Sequence, residues 1–394
     1  MGLLLDKLFT AVALGHFSVD VLNGGRSVLF TYLSVPLGLS NTALGFFSTL
    51  YVVSGALTQP IFGYITDKFG PRWVAAGGLL WMAVFYSMAI IAPVQYALWL
   101  LILASLGSAA YHPAGTMQAT LRGRTHFQGK ETTSAAYFFV AGQAGLFMGP
   151  LLAGNILDRF GKPGILILTA FAVPVGVNVA GQLRNVKAVN ADALGKSNRL
   201  TVSKGGLMMG LPLLPLITFV LLAFFQSWAQ QNMVTFVPKY LSDLGQSAST
   251  YGMIAALFMG GSAVGNAVGG NLADRFGKRR VAMVSLALAS IPLYLVSAVG
   301  LSQWLYYLIP LGGALTGASH SIIVVLAQRL FPGGMGLASG LILGFMFSSG
   351  AIGTLASGSI ADSYGLTYVF QFSAALVLGG SAMAWWLRQL GEAR

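Results

Sequence analysis

Twelve long apolar segments dominate this chain of 394 residues, and they constrain its fold more than any other feature. About 20 mostly apolar residues suffice to cross a membrane as an α-helix. The chain is 56% hydrophobic and only 8% charged, whereas a soluble domain carries roughly a quarter charged residues. We therefore predict an all-α membrane protein with twelve spans, at about 8–36, 41–66, 72–92, 96–120, 132–156, 164–184, 211–238, 249–272, 280–299, 303–328, 336–361 and 367–388.

A basic stretch between the sixth and seventh spans divides the chain. We predict a six-helix bundle at 1–184, a cytoplasmic linker at 185–210 and a second six-helix bundle at 211–394. If both termini are cytoplasmic, 18 of the 22 Lys and Arg residues lie on the cytoplasmic side, as expected for short loops that stay inside. The net charge of +12 then reflects topology and an anionic lipid surface, not nucleic-acid binding. We predict a multi-pass protein of the bacterial cytoplasmic (inner) membrane.

An internal repeat appears twice in each half of the chain. The segment 63–70 reads Gly-Tyr-Ile-Thr-Asp-Lys-Phe-Gly and recurs at 270–277 as Gly-Asn-Leu-Ala-Asp-Arg-Phe-Gly, 207 residues later. A second pair lies at 154–161 and 358–365. Two homologous six-helix halves related by a pseudo-twofold axis, each made of inverted three-helix units, form an architecture known among secondary transporters.

The cytoplasmic copies of this repeat carry candidate gating residues. Glycines at helix ends allow close helix packing, and an aspartate is favoured at the positive end of a neighbouring helix. Polar contacts of this kind would hold the cytoplasmic face of the protein closed. The candidates are Gly63, Asp67, Gly70, Arg72, Gly270, Asp274, Gly277 and Arg279.

These repeats resemble the cytoplasmic motif of the major facilitator superfamily, matched at 63–72 and again at 270–280. The fifth span is similar to the glycine-proline motif of the antiporter branch, through Gly145, Gly149, Pro150 and Gly154. The resemblance implies the twelve-helix fold of that superfamily, and the second motif implies export.

Three further segments resemble the fosmidomycin-resistance type of drug:proton antiporter. They are 15–20, which contains Gly-His-Phe-Ser-Val-Asp, 107–113, which ends in Tyr-His-Pro, and 327–333. The family commonly has an acidic residue after the His-Pro pair, where this chain has Ala114. The resemblance implies proton-coupled drug efflux.

One aspartate and three of the four histidines lie inside the apolar segments, namely Asp20, His16, His112 and His320. The bilayer penalises such residues unless they have a partner or face water, so they are candidate functional groups. Each histidine lies nine or ten residues from a cytoplasmic basic residue, which places it about 14–15 Å deep in the membrane. Histidine titrates near neutral pH. We therefore predict a proton-coupling site from these four residues, with His112 and His320 facing each other across the pseudo-twofold axis.

Polar and aromatic residues in the same spans are candidates for the substrate cavity. They are Asn23, Arg26, Tyr111, Gln143, Gln230 and Gln231. The sequence contains no phosphate-binding loop, no metal-ligand motif and no nucleophile–base pattern, and it has no cysteine. We therefore predict no catalytic residues, no metal, no cofactor and no enzyme activity.

The sequence predicts a secondary transporter that exports a small drug or metabolite in exchange for protons by alternating access. One alternative is proton-coupled uptake of a small organic anion, which Arg26 and the histidines could bind. A second alternative is a membrane receptor or lipid-interacting protein without transport. The predicted partners are a small-molecule substrate, protons and membrane lipids, and we expect a monomer.

Overall fold

The computed structural model describes residues 5–127, 131–186, 213–320, 322–324, 326 and 335–387. Most of the predicted linker and the segment 327–333 lie outside these residues. Within them the chain forms twelve α-helices: α1 (Lys7–Ser34), α2 (Asn41–Phe69), α3 (Pro71–Ile91), α4 (Val94–His126), α5 (Glu131–Gly164), α6 (Leu166–Gln182), α7 (Leu213–Asp243), α8 (Ala248–Phe276), α9 (Lys278–Val299), α10 (Leu305–Gly317), α11 (Met335–Tyr364) and α12 (Leu366–Trp386).

The helices match the predicted spans in number and order, but several are longer. Helix α4 continues to His126 and α5 to Gly164, beyond the predicted ends at 120 and 156. Hydropathy marks where a helix leaves the lipid, not where its hydrogen bonding stops. In the described residues, eight helices are long and apolar enough to cross a membrane. Helix α1 is not in that set, and it is the helix that carries Asp20 and Arg26.

The chain packs into two compact units. One contains α1, α3 to α6, α2 from Leu50 onward, and the segment Gly245–Ala256 at the start of α8. The other contains α7, α9 to α12, the rest of α8, and the segment Leu39–Thr49 at the start of α2. Each unit therefore consists of one half of the sequence plus a short segment from the other half.

In the first unit, glycines bring α1 and α5 into close contact. A Cβ atom added to Gly145 would lie 2.5 Å from the carbonyl oxygen of Phe17, and one added to Gly149 would collide with that of Val21. From the other side, a Cβ at Gly24 would lie 2.7 Å from the carbonyl oxygen of Leu146. Small residues allow such close backbone approach in membrane helices. The glycines of the antiporter-like motif thus pack α5 against α1.

The last glycine of each sequence repeat interrupts helical geometry in a conformation that other residues rarely adopt, between two helices at three positions and at a kink inside α5 at Gly161. Gly70, Gly161, Gly277 and Gly365 have φ angles of 91°, 62°, 92° and 94°. A positive φ costs glycine little because it lacks a Cβ atom. The repeated glycine therefore has a structural cause: it changes the direction of the chain where helical geometry is interrupted.

The aspartates of the second repeat pair cap the first turns of two helices. The Asp158 carboxylate accepts hydrogen bonds from the backbone N–H groups of Ala248 and Ser249, both at 2.8 Å. Asp362 accepts from the backbone N–H groups of Asn41 and Thr42, at 2.7 and 2.9 Å. Free N–H groups and the helix dipole both favour an anion there. These two carboxylates fasten the starts of α8 and α2.

The first repeat pair behaves differently in the described residues. Arg72 donates from Nε to the carbonyl oxygen of Ala180 (3.0 Å), and Arg279 donates to that of Trp385 (3.0 Å). Asp67 makes no hydrogen bond to a described residue, and the side chain of Asp274 lies outside the description. The basic residues thus satisfy carbonyls at the ends of α6 and α12, while the gating role of this pair stays a prediction.

We expect the double variant Asp158→Asn/Asp362→Asn to be less stable than the wild type. Each substitution removes the negative charge and replaces one of the two accepting oxygens by an NH₂ group, and the lost interactions contribute about 1 kcal/mol. The measurement is the midpoint of thermal unfolding of the purified protein in detergent. Asp67→Asn is the matched control, since it alters an equivalent aspartate without such caps. An equal loss of stability in the control would contradict the capping role.

Candidate proton-coupling site

An ion pair at one end of α1 and α4 aligns the two helices that carry the site. Asp6 caps α1 by accepting from the backbone N–H of Phe9 (2.8 Å). Its carboxylate also accepts from Nε and Nη2 of Arg122 in α4, at 3.0 and 2.6 Å. Burial alone would raise the pKa of Asp6, but these hydrogen bonds and the charge of Arg122 hold it below its ordinary value. The anchor fixes the relative register of α1 and α4.

Three of the four predicted ionisable residues meet farther along these helices. The Asp20 carboxylate lies 3.2 Å from Nε2 of His16, one turn earlier on α1, and 3.4 Å from Nε2 of His112 on α4. His16 and Asp20 are buried, with 3% and 5% exposure. Asn23 donates from Nδ2 to Asp20 at 2.9 Å. A side chain at Gly142 of α5 would overlap His16, so that glycine makes room for the cluster.

Backbone carbonyls fix the tautomer of both histidines. Nδ1 of His16 lies 2.8 Å from the carbonyl oxygen of Phe138, and Nδ1 of His112 lies 2.8 Å from that of Ser108. A carbonyl oxygen only accepts hydrogen bonds, so each Nδ1 carries the hydrogen. In a neutral ring, Nε2 is then an acceptor that faces the carboxylate of Asp20. Three acceptors then converge, and a proton on one Nε2 atom would turn the contact with Asp20 into a charged hydrogen bond.

Apolar surroundings exclude water from one side of the cluster. The His16 ring stacks on Phe138 with centroids 4.0 Å apart, and His112 meets His16 edge-on at 5.0 Å. Tyr111 is fully buried and donates its hydroxyl to the carbonyl oxygen of Val12 at 2.6 Å. The structure thus places Tyr111 in the contact between α4 and α1. The same contact positions His112, its neighbour in the chain.

Arg26 lies six residues beyond Asp20 on α1 and is also buried, with 6% exposure. Its Nε and Nη1 atoms have no hydrogen-bond partner among the described residues. The guanidinium group lies over the ring of Tyr51 at 4.7 Å and over that of Phe30 at 5.9 Å. The Tyr51 hydroxyl donates to Oδ1 of Asn23 at 2.8 Å. Tyr51 and Asn23 therefore connect Arg26 to Asp20.

The other predicted site residues lie elsewhere in the described chain. Gln143 is exposed on α5. In the second unit, Gln230 accepts from Gln226 at 2.8 Å and donates to Ser262 at 3.4 Å, while Gln231 is half-buried on the same helix. His320 also belongs to the second unit, and its buried Nδ1 has no partner among the described residues.

Two site residues were missed by the sequence prediction. Ser108 lies four residues before His112, hence on the same face of α4, and this spacing could have revealed it. Its hydroxyl accepts from Asn23 at 2.9 Å. Tyr51 carries no such signal, because aromatic residues in apolar helices usually serve only packing.

Similarity to known proteins covers nearly the whole chain. The fosmidomycin resistance protein of Escherichia coli (strain K12) is 26% identical, over 94% of this chain and 90% of its own length. An uncharacterized MFS-type transporter of Bacillus subtilis (strain 168), YfnC, is 31% identical over 93% and 89% of the two chains. The multi-drug resistance efflux pump PmrA of Streptococcus pneumoniae serotype 4 is 24% identical over 85% and 84%.

Solved structures with low sequence identity share the fold. A bacterial homologue of the human lysosomal transporter Spinster superposes with a TM-score of 0.77 at 12% identity, over 98% of this chain and 96% of that one. The nucleoside transporter NupG gives a TM-score of 0.74 at 14% identity, over 99% of this chain and 100% of that one.

The family model of the Major Facilitator Superfamily matches residues 12–181 and 219–393. This match covers nearly all of both halves of the sequence and leaves out the whole of the predicted linker at 185–210. Together with the fold, it confirms the family that the sequence repeats predicted. The chain belongs to the Major Facilitator Superfamily and is a transporter, not an enzyme.

Proposed function

We propose that this protein exports a small drug or metabolite in exchange for protons by alternating access. The observation that carries the proposal is the meeting of two tautomer-fixed histidines with the Asp20 carboxylate. Relatives named for drug resistance and efflux support the direction of transport. We further propose that the protein acts as a monomer in the bacterial cytoplasmic membrane, with both termini inside.

Protonation changes the forces within the cluster. A second proton on either histidine turns a repulsive contact between two acceptors into a charged hydrogen bond with Asp20, which is stronger than a neutral one. Loss of that proton leaves acceptors in contact and loosens α4 from α1. In the proposed cycle, proton binding and substrate binding exclude one another at this site. Each conformational change then carries only one of the two across the membrane.

A vesicle experiment tests the exchange. The purified protein is reconstituted into liposomes with an acidic interior and an enclosed pH dye, and fosmidomycin is the first compound added outside, followed by a panel of antibiotics. Antiport predicts that a transported compound accelerates proton efflux from the vesicles. Uptake of compound without proton efflux would overturn proton antiport. If no compound moves, whether the vesicle interior is acidic or alkaline relative to the outside, a receptor or lipid-interacting protein is favoured.

A second candidate function, proton-coupled uptake of a small organic anion, is favoured by Arg26. A buried guanidinium is costly without a counter-ion, and its contacts with Tyr51 and Phe30 contribute only about 1–2 kcal/mol. An anionic substrate would supply the missing charge. An anion held there would also attract a proton to the cluster, so the two would travel together.

The Arg26→Gln variant tests whether the substrate is an anion that binds Arg26. If the substrate is an anion, transport of anionic compounds falls to the level of protein-free vesicles, while Arg26→Lys keeps part of it because the positive charge remains. Proton movement distinguishes symport from antiport. When the compound enters vesicles from an acidic exterior, symport carries protons inward with it and acidifies the vesicle interior. Unchanged anion transport in Arg26→Gln would exclude an anion-binding role for this residue.

A further inference from the structure

We infer that His16, Asp20 and His112 form a binding site for a divalent transition-metal ion such as Zn²⁺, Ni²⁺ or Co²⁺. Their three ligand atoms lie within 4.8 Å of one another. Two imidazoles and one carboxylate are a common ligand set for such ions and leave coordination positions open. Mg²⁺ and Ca²⁺ prefer oxygen ligands only, so the site selects against them.

The distances suit metal coordination. A tetrahedral ion with bonds of about 2.0–2.1 Å holds its ligand atoms about 3.3 Å apart. Nε2 of His16 lies 3.2 Å from Oδ2 of Asp20, and Nε2 of His112 lies 3.4 Å from Oδ1, so each histidine is close to a different oxygen of the carboxylate. An ion bound to Oδ2 therefore needs the His112 ring to move closer to that oxygen and to His16, which side-chain rotation of the partly exposed His112 can supply.

The surrounding hydrogen bonds are those of a metal site. Metal-binding histidines usually donate their second N–H to a carbonyl or carboxylate, which presents the other nitrogen to the ion. Here Phe138 and Ser108 receive those N–H groups. Asn23 in turn fixes the carboxylate by a hydrogen bond at 2.9 Å. Both histidines thus present Nε2 lone pairs before any ion binds.

The neighbouring charged and titratable groups set the pH dependence. On α1, the positive charge of Arg26, six residues beyond Asp20, opposes cation binding. Helix α2 contributes Tyr51, which donates to Asn23, and α4 contributes Tyr111, which donates to a backbone carbonyl. The α5 residues that contact His16 include Phe138 and Phe139, neither of which can ionise. Protons bind the same Nε2 atoms as the metal, so metal affinity falls as the pH is lowered.

The test measures Zn²⁺ binding to purified full-length protein that carries no polyhistidine tag. At pH 7.5, Zn²⁺ is expected to raise the unfolding midpoint by at least about 3 °C, and less at pH 5.5. The His112→Gln variant should require at least about tenfold more Zn²⁺ for the same shift. His126→Gln is the matched control, because that histidine lies on the same helix but is exposed. With Co²⁺, a visible absorption band of a nitrogen-ligated ion is expected in the wild type and in this control, and not in His112→Gln.

Two results would overturn the inference: no stabilisation by Zn²⁺, or equal stabilisation in wild type and His112→Gln. The site is the one proposed for protons, but the two proposals fail separately. Transport is measured in the presence of a chelator, which removes free metal ions. Proton coupling is expected to persist under that condition, independently of whether the protein can bind a metal. Loss of coupling with intact Zn²⁺ binding would reject the proposed function and retain the metal site.

Discussion

The Asp20→Asn variant is expected to lose proton-driven transport but to keep the exchange of substrate across the membrane. The amide has nearly the same shape and can donate a hydrogen bond to one Nε2 atom. It removes the negative charge that stabilises an extra proton on His16 or His112. Substrate-induced proton flux in vesicles should fall to the level of protein-free vesicles, and the exchange of labelled for unlabelled substrate should continue.

The exchange measurement shows that the variant is folded, which makes the loss of coupling interpretable. Asp243→Asn is the matched control, since Asp243 pairs with Lys239 at the end of α7 and is 43% exposed. It should keep full coupling. Normal proton flux in Asp20→Asn would remove Asp20 from the mechanism and leave the cluster a purely structural feature.

Gly149→Ala is expected to destabilise the first unit strongly, although only one methyl group is added. The new Cβ would collide with the carbonyl oxygen of Val21 and lie 2.7 Å from the backbone nitrogen of Gly25. Backbone atoms cannot move aside as a flexible side chain can, so α1 and α5 must separate. Overpacking of this kind costs about 1–3 kcal/mol, which exceeds the roughly 0.5–1 kcal/mol that alanine contributes to a helix.

The measurement is the unfolding midpoint together with the yield of monodisperse protein. Gly77→Ala provides the control, because Gly77 lies in the middle of α3 and an added Cβ would meet nothing within 4 Å. That variant should be as stable as the wild type or slightly more stable. A similar loss in both variants would mean that the contact between α1 and α5 does not determine the effect.

The fold was predictable because its causes are local or repeated. A membrane span is encoded by a continuous run of apolar residues, and the repeat predicted the family without any knowledge of packing. The four terminal glycines of the repeat also had a local cause in their positive φ angles. The ends of α4 and α5 were less predictable, because the hydrogen bonding of a helix continues past the point where its sequence becomes polar.

The site was only partly predictable, because its contacts join distant segments. The cost of burying charge pointed to Asp20, His16 and His112. The hydrogen bonds of the two histidines to the carbonyls of Phe138 and Ser108 could not be predicted, because every residue has a backbone carbonyl and the sequence does not show which one accepts. Linear spacing also showed no metal-ligand pattern, because two of the three ligand atoms come from α1 and the third from α4.

Each unit contains a short segment from the other half of the sequence. This exchange has a consequence for producing the two halves as separate fragments. A fragment of residues 1–184 would lack Gly245–Ala256, whose first amides bond to Asp158. The complementary fragment would lack Leu39–Thr49, whose amides at positions 41 and 42 bond to Asp362. Each half synthesised alone is therefore missing a piece of its own unit. The two halves should reach their native structure only when they are produced together in one cell.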